Sequence, residues 1–162
     1  MKSPNLKKIT ALRETARRLE NGAEYNWSHQ GNCNCGHLVQ TVTKLTKAAI
    51  HAQALEKAGD WGEKVIDYCP TSNYPIDHII TTMLEMGFTR DDLVRLERLS
   101  APDILDRIPH ERKPLKHNCR EDVILYMNTW ADLLEEKLLD EIELPRFDFK
   151  QRRTLKYAEK MI

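Results

Sequence analysis

Reactive side chains are most dense at residues 30–37, where the sequence reads Gln-Gly-Asn-Cys-Asn-Cys-Gly-His. These eight residues hold two cysteines and a histidine directly before a long helical pattern. A thiolate is both a metal ligand and a nucleophile, and both roles require loss of the thiol proton. Because the free N–H groups and dipole of a helix N-terminus favour an anion, we expect Cys35 to have a lowered pKa.

One interpretation of this stretch is a transition-metal site, with zinc as the expected ion. Cys33, Cys35 and His37 supply three candidate ligands, and zinc takes three or four from protein. The connection after the second predicted helix is long enough to return Cys69 to the same point. His78, near the start of the following helix, is a further candidate. Cys-x-Cys is not the common zinc spacing, so the pattern leaves other chemistry open.

A second interpretation is catalysis or redox chemistry by a thiol, most simply at Cys35. The side chains available to such a site are two nucleophiles, three bases and two amide donors (Cys33, Cys35; His29, His37, His78; Gln30, Asn32). Residues 30–35 resemble the glutamine–cysteine stretch that opens the catalytic helix of papain-like cysteine proteases. Gly36 stands where that family has an aromatic residue, and no β-rich half follows, so its activity is not carried over.

A third interpretation is purely structural. Free cysteines often fill small apolar gaps, and a histidine on a helix face is often held by a hydrogen bond. Asn32, Asn34 and Gly36 are residues typical of a turn that enters a helix. On this interpretation residues 30–37 position the helix and carry no chemistry. Composition does not choose among the three.

Charge and composition exclude several other classes of protein. The 162 residues contain 25 Lys+Arg and 25 Asp+Glu, giving a net charge of zero. A nucleic-acid binder that works through bulk charge carries a basic surplus, so nucleic acid is not an expected partner. No stretch approaches the ~18 apolar residues of a membrane span, and the N-terminus lacks the apolar run of a secretory signal. The sequence predicts a cytoplasmic location without membrane association, and it leaves a protein partner or a homo-oligomer open.

The elements that position the reactive residues are predicted to be helices. Apolar residues recur at three- and four-residue steps in a first helix that begins at Pro4 and ends at Gly22. A second helix is predicted from about Gly36 to Ala58. A stripe of apolar residues over 118–138 predicts the central core helix. Thr89 is followed three residues later by Asp92, the spacing of a capping box at a short helix.

These patterns predict the fold class. The chain is expected to be all-α, a single-domain helical bundle of about five to seven helices over residues 1–144, with no significant β-sheet. Residues 145–162 are predicted to be a basic extension or a packed last helix. The length is enough for one domain to bury a core of its own.

Residues 76–108 form a subregion of three short predicted helices. This subregion resembles a ubiquitin-associated domain, in which a Met-Gly-Phe loop, here residues 86–88, lies on the partner-binding face. The resemblance implies a helical protein-interaction module. The same helices resemble a helix-turn-helix, although Asp91 and Asp92 at the start of the recognition helix would repel phosphates.

The sequence therefore predicts, first, a Cys/His metal site at the N-terminus of the second helix. The alternatives are a helical interaction module at residues 76–108 and a thiol-based enzyme or redox site at Cys35.

Overall fold

The computed structural model describes residues 4–142, which form eight α-helices, a short 3-10 turn at His110–Arg112 and no strand. The α-helices are, in chain order, α1 (Pro4–Glu20), α2 (Asn34–Thr43), α3 (Lys47–Leu55), α4 (Trp61–Ile66), α5 (Pro75–Met86), α6 (Arg90–Arg98), α7 (Pro102–Leu105) and α8 (Arg120–Glu141). The all-α prediction is confirmed, with one helix more than the expected range. The predicted extension at 145–162 lies outside the described residues.

The most extensive helix pair is α1 with α8. The apolar stripe of α1 faces inward, and Leu12 and Leu19 are fully buried. On α8 the predicted core residues Met127 and Trp130 are buried as well, and the Trp130 ring meets Phe88 edge to face at a centroid distance of 5.7 Å. Burial at three- and four-residue steps is what an amphipathic helix requires, so the two stripes were interpreted correctly.

The prediction of one helix over residues 36–58 is wrong, because the chain breaks after α2. Lys44 takes a left-handed conformation (φ 62°), and its N–H bonds to the carbonyl of Gln40 to close that helix. Thr46 then caps α3 by accepting a hydrogen bond from the N–H of Ala49 at 3.1 Å. Such a cap satisfies a free amide of the new helix. The break lets α3 pack back against α2.

The short helix α6 packs against both α4 and α2. The predicted capping box at its start is confirmed. The Thr89 hydroxyl accepts from the N–H of Asp92 at 3.0 Å, and the Asp92 carboxylate accepts from the N–H of Thr89 at 2.9 Å. This fixes where α6 begins and therefore which residue of its last turn faces the start of α2.

A helix that crosses a membrane must be both long and apolar. None of the helices between residues 4 and 142 combines these two properties.

Candidate thiol–carboxylate site

The segment between α1 and α2, residues 21–33, passes very close to the starts of α2 and α3. A Cβ atom added to Gly36 would lie 2.5 Å from the carbonyl oxygen of Gln30, and one added to Gly31 would lie 2.0 Å from the carbonyl oxygen of Lys47. Both distances are far inside van der Waals contact, so only glycine fits at 31 and 36. The backbone of residues 30–31 is therefore held between the two helix starts.

Asn34 joins the start of α2 to the end of α6. Its side-chain amide donates to the carbonyl oxygens of Leu96, Glu97 and His117 at 3.0 to 3.2 Å. Its side-chain oxygen accepts from the hydroxyl of Tyr25 at 2.7 Å. A fully buried amide with all these partners is a firm connection, because each lost partner would leave a buried polar group unsatisfied.

Cys33 is the N-cap residue of α2 and is 1% exposed. Its sulfur accepts from the N–H of Gly36 at 3.4 Å, and its thiol donates to the carbonyl of Gln30 at 3.6 Å. Burial raises the pKa of this thiol well above its ordinary value, and the nearby Glu97 carboxylate raises it further. The hydrogen bond from Gly36 acts in the opposite direction, as expected for a helix N-terminus.

Cys35 lies two residues further along, in the first turn of α2, and is fully buried. Its thiol donates to the carbonyl of Leu93 at 3.2 Å, and its backbone N–H donates to the Glu97 carboxylate at 3.0 Å. Burial raises the pKa of the Cys35 thiol well above the ordinary value, followed by the effects of Glu97 and Cys33. The expectation that the helix terminus lowers this pKa is therefore wrong, because loss of solvent outweighs the helix dipole.

Glu97, in the last turn of α6, is the carboxylate that faces both thiols. It is 2% exposed, and burial raises its pKa, against the hydrogen bond that it accepts from the backbone N–H of Cys35 at 3.0 Å. No salt bridge among residues 4–142 includes it. A buried carboxylate without a cationic partner is costly and is characteristic of functional sites.

A cleft of about 180 Å³ reaches Glu97 from the surface. Trp27 and Trp61 line it, and both indole N–H groups are used to hold backbone carbonyls, that of Trp27 on Glu97 at 3.5 Å and that of Trp61 on Gln30 at 2.8 Å. Asp60, also in the lining, forms an ion pair with Arg98 at 2.9 Å. The cleft therefore has aromatic walls, and Glu97 is among the residues that line it.

Lys64 of α4 is a second buried titratable group near this region. It is fully buried, and its ammonium donates to the carbonyl of Gly59. Burial lowers its pKa, while the negative charge of Asp60 and that of Glu63 raise it. Lys64 therefore supports the turn that carries Asp60, at the side of the cleft.

His37 lies on the same helix as the thiols, but its ring makes other contacts. Its Nε2 donates to the carbonyl of Glu24 at 2.7 Å, and the ring stacks on Tyr25 at a centroid distance of 6.2 Å. Burial lowers the pKa of His37 to about 4. The other ring nitrogen, Nδ1, is buried and has no hydrogen-bond partner among the described residues. His37 is therefore neutral at neutral pH.

Cys69 and His78 lie apart from this cluster. Cys69 is exposed and contacts the hydroxyl of Thr71 at 3.5 Å, which lowers its pKa. His78 is exposed and lines a different depression, together with Val42 and other residues of α2 and α5. Within residues 4–142 no three histidine, cysteine, aspartate or glutamate side chains are placed to hold a metal ion. The five predicted ligands are thus not gathered at one point, and metal binding stays a prediction.

The structure places the remaining candidates as follows. Gln30 lines the cleft, and Asn32 is buried with its side-chain oxygen 3.3 Å from the amide of Gln40. His29 lies beside His51 on the far side of residues 30–31. None of these three contacts a cysteine sulfur through its side chain in the described hydrogen bonds.

Glu97 is a candidate functional residue that sequence reasoning missed. A signal for it exists, because Leu93, Leu96 and Glu97 follow at the three- and four-residue steps of the buried face of α6. A glutamate in that stripe must be buried and is therefore worth attention.

The loop that resembles the ubiquitin-associated family is only partly accessible. Phe88 is 2% exposed and packs on Trp130, whereas Met86 is half-buried and lines a groove of about 380 Å³ with residues of α1 and α2 such as Leu6 and Val42. The interaction module stays a prediction. Comparison with protein-family models, curated proteins and solved structures found no match for this chain.

Proposed function

We propose that Cys33 and Cys35 form a dithiol that exchanges with disulfides, and that Glu97 accepts and returns the protons of both thiols. The observation that carries this proposal is the double position of Glu97. Its carboxylate accepts a hydrogen bond from the backbone N–H of Cys35 at 3.0 Å and lies close enough to raise the pKa of both thiols. Glu97 is also one of the residues that line the cleft between Trp27 and Trp61. On this proposal one carboxylate takes the proton from either sulfur.

The energetics of Glu97 support a chemical role over a structural one. Taking a carboxylate out of water without a cation beside it lowers the stability of the fold. An apolar side chain in the same place would pack the α2–α6 contact without that cost. Groups with shifted pKa values in a cleft are candidates for acid–base chemistry.

The two sulfurs have different surroundings, which suggests different roles. Cys33 accepts a hydrogen bond from the N–H of Gly36 at the helix N-terminus, an interaction that favours the thiolate. Among residues 4–142 the sulfur of Cys35 receives no such bond, and its thiol donates to the carbonyl of Leu93 at 3.2 Å. This distance is shorter than the 3.6 Å between the Cys33 thiol and the carbonyl of Gln30, so the thiol form is favoured more strongly at Cys35. We therefore assign Cys33 as the sulfur that attacks the substrate and Cys35 as the sulfur that resolves the intermediate.

The exchange balances with a disulfide as the only co-reactant. Cys33 transfers its proton to Glu97, and the thiolate attacks one sulfur of the substrate disulfide, breaking that bond and releasing a thiolate that takes up the proton. Cys35 then gives its proton to Glu97 and attacks the Cys33 sulfur. The second substrate thiol leaves, and the dithiol is oxidised while one disulfide is reduced to two thiols.

Trapping the intermediate tests this assignment. In protein carrying Cys69→Ser and Cys119→Ser, oxidised glutathione should convert native protein to a product two hydrogens lighter, with Cys33 linked to Cys35 in its peptide map. The additional change Cys35→Ser should leave glutathione attached to Cys33, and Glu97→Gln should slow the first step. Cys33–Cys35 linkage that forms only after denaturation would refute the proposal.

Metal analysis distinguishes the zinc interpretation of the same thiols from disulfide exchange. Zinc bound by thiolates would protect both cysteines from glutathione and would be present in equal amount to protein purified without chelator. We expect less than an equivalent, and removal of metal should leave the exchange rate unchanged. A full equivalent of zinc with unreactive thiols would favour the metal site instead.

A further inference from the structure

Two histidines stack on the far side of residues 30–31. The rings of His29, in the segment after α1, and His51, on α3, lie 4.0 Å apart between centroids at an interplanar angle of 19°. Both residues are only half-buried. Protons from solvent therefore reach them, in contrast to the fully enclosed His37.

The hydrogen bonds of this pair fix its protonation state. The backbone N–H of Gln30 donates to Nδ1 of His51 at 3.0 Å, and the backbone N–H of Gly31 donates to Nδ1 of His29 at 3.1 Å. A backbone N–H can only donate, so both Nδ1 atoms must be unprotonated acceptors. Each ring is then neutral and carries its proton on Nε2.

Acidification removes the hydrogen bond between Gly31 and His29. A proton taken up by His29 goes to Nδ1, which becomes a donor facing the N–H donor of Gly31. Two imidazolium rings in contact would in addition repel each other. The stacked arrangement thus exists only while both rings are neutral.

Burial and the groups around the pair change the pKa of His29. Burial lowers the pKa of His29, and His51 and Lys47 lower it further, while Glu24 raises it. Lys47, on α3 one turn before His51, forms an ion pair with Glu24.

Charged groups on the neighbouring helices have partners of their own. Lys44 at the end of α2 pairs with Glu14 at 3.4 Å, and Asp77 of α5 pairs with Lys57 at 3.3 Å. These ion pairs leave Lys47 and Glu24 as the charges that act on the histidine pair.

The two bonded amides belong to the residues that cover Cys33. The carbonyl of Gln30 accepts from the Cys33 thiol at 3.6 Å and from the Trp61 indole at 2.8 Å. The side chain of Gln30 also lines the cleft that reaches Glu97. Residues 30–31 therefore separate Cys33 from solvent, and the histidine pair is one of their attachments.

We propose that His29 and His51 are positioning residues that clamp residues 30–31 over Cys33 while both rings are neutral, and that proton uptake by the pair releases this segment and opens Cys33 to disulfides in the cleft. The clamp stands on its geometry alone. Only its consequence for disulfide exchange rests on the proposed function.

Asparagine separates protonation from the loss of an acceptor. The side-chain oxygen of asparagine can take the place of Nδ1 and does not titrate. The double variant His29→Asn/His51→Asn should therefore keep the clamp closed at every pH. His110→Asn is the matched control, because His110 is exposed in the 3-10 turn, a separate element of the fold.

Hydrogen exchange measures the clamp directly. In the wild type and His110→Asn we expect the protection factors of the Gln30 and Gly31 amides to fall by up to about tenfold per pH unit as the pH drops below the pKa of His29. The indole N–H of Trp61 should lose protection over the same range. The double variant should stay protected. Constant protection in the wild type, or an equal loss in the double variant, would overturn the proposal.

Reactivity of Cys33 measures the consequence. A pyridyl disulfide, which reacts with thiols at acidic pH, should label Cys33 faster as the pH falls in Cys69→Ser/Cys119→Ser protein and not in the same protein with both asparagines. If the clamp opens while Cys33 stays unreactive, exposure by the clamp is refuted. If Cys33 is labelled but no bond to Cys35 follows, the proposed exchange fails and the clamp stands.

Discussion

The α1–α8 pair and the α2–α6 junction, defined here as residues 33–37 with 93–97, bury their side chains to the same extent but with different chemistry. Leu12, Leu19 and Met127 in the helix pair are fully buried and apolar. In the junction thiols, an amide and a carboxylate are enclosed beside Leu93 and Leu96, with Asn34 fully buried and Glu97 2% exposed.

This difference separates the apolar side chains that stabilise the fold from the polar side chains of the candidate site. Apolar burial contributes about 25 cal/mol for each Å² removed from water and needs no partner. Polar burial contributes only about 0.5 to 1.5 kcal/mol for each matched hydrogen bond and lowers stability where a partner is missing. Asn34 has such partners, whereas in the described part of the chain the Glu97 carboxylate accepts from one backbone amide, that of Cys35. The α2–α6 junction therefore fits a candidate site whose stability is supplied by apolar burial in the α1–α8 pair.

The largest expected effect is in the apolar pair. Leu12→Ala should lower the free energy of unfolding by roughly 3 to 4 kcal/mol, because it leaves a cavity in a fully enclosed position. Urea denaturation at pH 7 and pH 5.5 should give the same difference, since no titratable group is involved. Leu139→Ala on α8, where the side chain is 62% exposed, is the control and should change stability by less than about 0.5 kcal/mol. Equal losses in both variants would contradict the assigned core.

The second-largest expected effect is a loss of stability in acid, which is caused by His37 in the α2–α6 junction. The pKa of His37 is about 4 in the fold, below its ordinary value of about 6.5. Between these values the unfolded chain binds the proton and the fold does not, so stability falls as the pH drops. The free energy of unfolding should decrease by up to ~1.4 kcal/mol per pH unit, or about 3 kcal/mol from pH 6.5 to 4.

His37→Gln isolates this contribution, because glutamine can still donate to the carbonyl of Glu24 and does not titrate. Denaturation midpoints of the variant should depend less on pH than those of the wild type. His78→Gln, at an exposed position, should follow the wild type. A variant with unchanged acid sensitivity would assign the effect to other groups.

The buried apolar residues of the α1–α8 pair were predictable from sequence. The polar groups of the α2–α6 junction were predictable only in part. The stripes of α1 and α8 and the capping box at Thr89 follow from local spacing, which the structure keeps. The break at Lys44 was missed because Leu45 continues the apolar repeat through it, and the Thr46 cap has no glutamate three residues later to mark it.

The candidate site was located but not assembled by sequence reasoning. Residues 33 and 35 were identified because cysteines are rare and reactive. Their partner Glu97 lies 62 residues further along the chain from Cys35, and the contact depends on how α6 packs on α2. The lowered pKa expected for Cys35 was wrong because a local rule on helix termini does not include the burial that tertiary packing imposes.

The third expected effect is a loss of stability when Asn34, which connects α2 to α6, is changed. Asn34→Ala removes the donor shared by three backbone carbonyls, so the free energy of unfolding should fall by about 2 kcal/mol. Hydrogen exchange should show the loss first at the end of α6, around Leu99. Asn73→Ala, at an exposed position before α5, should leave both quantities unchanged. A uniform loss of protection over all helices would argue against a local connection.

The smallest expected change in stability is at Glu97, and its sign is opposite to the others. Burial raises the pKa of Glu97, so in the fold the ionised form is penalised and stability falls as the pH rises through that pKa. Glu97→Gln removes the penalty and retains an acceptor for the N–H of Cys35. It should therefore raise the free energy of unfolding at neutral pH by on the order of 1 kcal/mol.

A gain in stability together with a loss of exchange is the combination that distinguishes the two regions. A side chain kept for packing loses stability when it is changed, as expected for Leu12. A side chain kept for chemistry can gain stability while the reaction slows. Glu85→Gln, at an exposed position on α5, should change neither the urea midpoint nor the rate of Cys33–Cys35 bond formation. If Glu97→Gln instead unfolds the protein more easily and leaves that rate intact, Glu97 is a structural residue and the junction is an unusual part of the core.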